Sequence, residues 1–132
     1  MPGDLNLARQ WVDKAKSDLL NADNNLSSES IPFDTVCFHC QHAAEKLLKG
    51  FLVFNAHPAT RTHDLLLLLN ECLSVRPEIR EIRDSLLILN PYAVEVRYPD
   101  DALSPTMEDA KEARSAVSQV TAWMEKTVPE LF

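Results

Sequence analysis

Two stretches of this chain carry apolar residues at alternating steps of three and four, and that spacing restricts the fold to packed helices. Leu5, Ala8, Val12, Ala15, Leu19, Ala22 and Leu26 form one seam. Cys37, Cys40, Ala44, Leu47, Phe51 and Phe54 form another. A helix turns about 100° per residue, so each set falls on one face. The spacing predicts helices over residues 5–26 and about 32–55, the second with an apolar face widened by Phe38, Leu48 and Leu52. Asn24, Asn25, Ser27 and Ser28 favour a turn between them. Gly50 sits inside the second helix at a cost of about 1 kcal/mol relative to alanine, which close approach of another helix would explain.

The rest of the chain follows the same pattern. A run of leucines predicts a short buried helix over about 63–73, with Thr62 as its N-cap and Asp64 in its first turn. Pro77 suits the first turn of a fourth helix carrying Ile79, Ile82, Leu86 and Leu89, and Pro91 interrupts it. A short stretch, Tyr92 to Val96, then runs into Arg97-Tyr98-Pro99-Asp100, where Pro99 ends the element. Thr106 and Asp109 form a capping box before a fifth helix, whose seam has Arg114 as its polar exception. No segment alternates with period two, and only 2 of 132 residues are glycine. The expected fold is all-α, an up-and-down bundle of four to five helices, with residues 1–132 as one domain.

Charge narrows the function. Thirteen basic against 20 acidic residues give a net charge of -7, so a generally basic nucleic-acid binder is excluded and any anion site must be a local patch. The longest apolar run, Leu65 to Leu69, is far short of the roughly 18 residues of a membrane span. Residues 1–30 show no export signal, and Cys37, Cys40 and Cys72 are an odd count; a cytoplasmic protein with reduced thiols is expected.

Four constellations carry possible chemistry. Cys37-Phe38-His39-Cys40, with His42 beyond it, has a metal-like spacing. The imidazoles, however, lie roughly 200° around the helix from the thiols, so core packing is the reading for the cysteines and no metal or other cofactor is expected. His39, His42, Lys46 and Lys49 form a stripe facing away from the seam, either a solvated face or an anion surface, with Gln41 and Glu45 on its flank. Thr62-His63-Asp64 lies at a helix start, where free N–H groups attract anions. Arg97 offers a planar fork for phosphate, and Tyr98 a ring for stacking on a base. Asp100 and Asp101 are a lone acidic pair, expected to be solvated.

Taken in order, FHCQHAAEKLLKG at 38–50, the Pro58 loop, THDL at 62–65 and PYAVEVRYPD at 91–100 resemble the HEPN domain, the higher-eukaryote and prokaryote nucleotide-binding family. The resemblance spans about residues 5–127. It implies a helical bundle, commonly homodimeric, that works beside a minimal nucleotidyltransferase in two-component toxin–antitoxin or defence-like modules. Some members bind nucleotides; others are metal-independent ribonucleases using an Arg followed four to six residues later by a His. Arg97 matches that Arg, but Asp101, Ala102 and Leu103 stand where the His would be, and His63 is the last histidine of the sequence. The expectation is therefore a non-catalytic nucleotide-binding partner protein. Its site would comprise Lys46, Lys49, His63, Arg97 and Tyr98, with His42, Gln41, Asp64 and Asp100 as secondary candidates. The alternatives are a ribonuclease with an atypical site, taking short RNA, and a purely structural assembly partner.

Overall fold

A computed structural model describes residues 3–94 and 104–132. Five α-helices are present: α1 (Leu5–Leu26), α2 (Phe33–Phe54), α3 (Leu65–Val75), α4 (Arg83–Leu89) and α5 (Met107–Thr127). Short 3-10 turns at Pro77–Ile82, Asn90–Tyr92 and Pro129–Leu131 complete the described secondary structure, and no strand occurs among the described residues. The all-α bundle expected from the spacing is the observed fold.

Helix α2 is the axis of the molecule. Its buried residues include Val36, Cys37, Cys40, Ala43, Ala44, Leu47, Leu48, Phe51 and Leu52, more than one face can supply. Helices α1, α3, α4 and α5 all pack on it. That enclosure is the physical meaning of its wide apolar surface. The Cys37, Cys40 and Cys72 thiols are free and buried in this core. Burial pushes the Cys40 and Cys72 thiols up to about 12.

Helices α1 and α2 run antiparallel. Gly3 N–H donates to the Phe54 carbonyl at 3.1 Å at one end, and Asp18 meets His39 further along. Between them a Cβ added to Gly50 would stand 3.1 Å from the Ala8 carbonyl oxygen and 3.2 Å from Trp11 Cβ. The glycine lets the two helices approach, and this offsets its low helix propensity. Helix α5 closes the bundle. Arg114, the polar exception in its seam, forks onto both carboxylate oxygens of Asp23 on α1 at 2.7 and 3.2 Å.

Capping chemistry sets the helix ends. The Thr106–Asp109 capping box is present as the sequence indicated. Helix α3 differs: Asp64 rather than Thr62 is its N-cap, and Asp64 Oδ1 accepts from the Leu66 and Leu67 N–H groups. Thr62 instead accepts from the Asp64 N–H through its own hydroxyl. A carboxylate is the stronger acceptor for a helix start, so the boundary falls two residues later than expected. The segment after Pro77 begins as a 3-10 turn and becomes α-helical only at Arg83. The α2 end is closed by Ala56, whose φ of 60° is unusual for a residue with a Cβ.

Candidate functional site

Burial first reorders the cationic stripe of α2. Its residues do not look outward together. Asp18 of α1 is 7% exposed and turns toward α2. Its Oδ1 lies 2.8 Å from His39 Nδ1, and its Oδ2 accepts from the Lys46 ammonium at 2.5 Å. Lys49 donates to Glu45 Oε2 at 3.0 Å and lies over the Trp11 ring. Each ammonium thus has its own carboxylate. Neither ammonium stands free on that face: α1 supplies the acid for Lys46, and α2 itself supplies the one for Lys49.

The same pairing exposes a different centre. Glu45, whose side chain is only 4% exposed, holds Lys49 with one oxygen and His63 with the other. The His63 Nδ1 to Glu45 Oε1 distance is 2.7 Å. The His63 side chain is 66% exposed, so the buried acid fixes one edge of a ring whose remainder faces solvent. Gln41, fully buried one turn before Glu45, donates from Nε2 to the His63 carbonyl at 2.8 Å. Its Oε1 has no hydrogen-bond partner among the described residues. Gln41 and Glu45 thus both bond to His63 in the loop entering α3.

His42 completes the cluster. Its ring stands 5.3 Å from that of His63, centroid to centroid, and 4.1 Å from that of Phe38. His42 Nε2 lies 3.1 Å from the Ala93 carbonyl oxygen. A carbonyl can only accept, so His42 carries its proton on Nε2 in this arrangement. Three stretches remote in sequence therefore meet here: α2, the loop before α3, and the chain leaving Asn90–Tyr92.

Among the expected site residues, His42, Lys49 and His63 gather around Glu45, with Gln41 beneath them. Lys46 is held separately by Asp18. Asp64 is occupied in capping α3, and its Oδ1 also lies 3.3 Å from Asn90 Nδ2. Arg97, Tyr98 and Asp100 lie outside the described residues, as does the element end expected at Pro99. Sequence reasoning did not single out Asp18 or Ala93, nor Glu45 as the centre. Asp18 had a visible signal: it continues the Ala15–Ala22 spacing, so a carboxylate on that face calls for a cation on the neighbouring helix. Ala93 contributes only a backbone oxygen and leaves no signal.

A separate cleft of about 370 Å³ is lined by Arg76, Glu78, Glu81, Trp123, Lys126 and Thr127, none of them part of this cluster. No described helix is long and apolar enough to cross a membrane.

The sequence matches the HEPN domain family over residues 8–127, and the chain belongs to that family. Its fold is similar to the crystal structure of TT1696 from Thermus thermophilus. The two share 25% identity, with a TM-score of 0.74 over 90% of this chain and 96% of that one. No functionally curated protein shows significant similarity to the sequence.

Proposed function

We propose that this HEPN protein is a nucleotide-binding accessory protein without catalytic activity of its own. It acts in the cytoplasm as a homodimer beside a minimal nucleotidyltransferase, in a toxin–antitoxin or defence-like pair. The observation that carries the reading is the meeting of His42, His63 and Lys49 around Glu45, tied through Ala93 to the chain four residues before Arg97. Imidazoles donate to phosphate oxygens, and Arg97 from the adjoining segment would add a bidentate donor. Tyr98 would stack on the base. Lys49 acts through Glu45, whose charge it balances. Lys46 reaches a phosphate only by leaving Asp18. The absence of a His four to six residues after Arg97 supports a binding role over cleavage.

Calorimetric titration with ATP, GTP and an RNA oligomer tests this. Wild-type protein should bind a nucleotide, and His63→Ala and Arg97→Ala should bind at least about tenfold more weakly. Equal heats from all three proteins would remove these residues from the site.

One observation favours a second reading. Two imidazoles 5.3 Å apart can act as acid and base on one phosphodiester, the atypical ribonuclease site. Labelled RNA incubated with pure protein in EDTA distinguishes the two: cleavage lost in His42→Ala supports the nuclease, and intact RNA after prolonged exposure rejects it.

A further inference from the structure

We infer that His42, Glu45 and His63 form a binding site for a divalent transition-metal ion of the zinc class. The inference does not depend on nucleotide binding. One ligating atom from each of the three residues lies within 4.8 Å of the other two. Two imidazole nitrogens and a carboxylate oxygen are a donor set that zinc, cobalt(II) and nickel(II) accept, and that magnesium or calcium does not prefer.

The protonation pattern fits coordination. The Ala93 carbonyl accepts from the Nε2–H of His42, which leaves the lone pair on Nδ1. A backbone carbonyl behind a ligating imidazole is a common orienting arrangement for metal-bound histidine. His42 and Glu45 are three residues apart on α2 and so share one face of a rigid helix. His63 comes from the loop, with its carbonyl anchored by Gln41 and its ring exposed. The backbone is fixed, and the ring is held only at Nδ1, by Glu45, with its remainder in solvent.

Bond lengths of about 2.0–2.2 Å place cis ligand atoms roughly 3 Å apart, so the present arrangement must contract. The exposed His63 ring supplies that movement. The ion takes the place of the proton between His63 Nδ1 and Glu45 Oε1, and that proton passes to solvent. Lys49 keeps Glu45 Oε2, so the carboxylate bridges the ammonium and the metal. Three protein ligands leave at least one coordination position, on the solvent side marked by His63, for water or an exogenous anion. The thiols do not contribute, since all three are buried in the core.

Chelator-treated full-length protein, without nucleotide, is titrated with Zn²⁺ by calorimetry and with Co²⁺ by visible absorption. The expected result is one equivalent bound, with a ligand-field spectrum lacking sulfur-to-cobalt charge transfer. His42→Ala and His63→Ala should each weaken binding at least tenfold, and His57→Ala should leave it unchanged. Both weakened variants must retain wild-type circular dichroism, and His63, being exposed, is the safer of the two. No uptake at a hundred micromolar metal, unchanged affinity in His63→Ala, or a thiolate charge-transfer band would each overturn the site.

Discussion

Glu45 Oε1 lies 2.7 Å from Nδ1 of His63, joining a buried acid on the central helix to an exposed imidazole eighteen residues further along the chain. The other oxygen of the same carboxylate holds Lys49. Glu45 is therefore both the counter-charge of a buried ammonium and the anchor of the candidate site.

Removing that charge should be costly. Glu45→Gln leaves the Lys49 ammonium, 9% exposed, without its carboxylate, and breaking a buried pair in this way costs about 3 kcal/mol. Lys49→Met together with Glu45→Gln should recover part of the loss, since both charges then leave. Urea denaturation of the two single variants and the double variant measures the coupling. Additive losses would mean that the pair does not interact.

The α1–α2 contact makes a steric prediction. Gly50→Val would force its branched side chain against the Ala8 carbonyl oxygen and Trp11 Cβ, which already stand 3.1 and 3.2 Å from an added Cβ. Overpacking of this kind costs about 1–3 kcal/mol. Gly50→Ala gains about 1 kcal/mol of helix propensity and should fall between that variant and the wild type. Thermal melts of the three proteins give the order.

Ala56 predicts a change in the opposite direction. Its φ of 60° costs a residue with a Cβ about 1–2 kcal/mol, and glycine adopts it freely. Ala56→Gly should therefore raise the melting temperature by a few degrees, corresponding to roughly 0.5–1 kcal/mol after the added unfolded-state entropy is counted. Differential scanning calorimetry reads the shift.

Most of the fold could be read from the sequence, because apolar spacing records which face of each helix is buried. The limits of α1 and α2 and the Thr106 capping box followed from it. The Asp64 cap did not, since Thr62 offers a competing oxygen two residues earlier. The site was legible only in part. His42, Lys49 and His63 were singled out as polar residues, but the pairing of Lys46 with Asp18 was not. Such a carboxylate becomes visible only when α1 is laid against α2. The contact of His42 with the Ala93 carbonyl has no side-chain signature at that end.

The Arg114–Asp23 pair gives a pH signature. The hydrogen bond from Arg114 leads in holding the Asp23 carboxyl below its ordinary value. With the folded value lower than the unfolded one, the contribution is complete above the unfolded value and is lost as pH falls through the folded one. Asp23 is half exposed, so screening limits the contribution to about 0.5–1 kcal/mol. Arg114→Ala should be destabilised at neutral pH, with the difference from wild type shrinking in acid. Urea midpoints at both pH values check this.

The most direct test of the nucleotide reading follows the histidine rings by nuclear magnetic resonance as ATP or GTP is added. Binding at the Glu45 cluster predicts that the His42 and His63 ring signals shift together and saturably, while His57 stays in place. Unmoved His42 and His63 signals at millimolar nucleotide would contradict it.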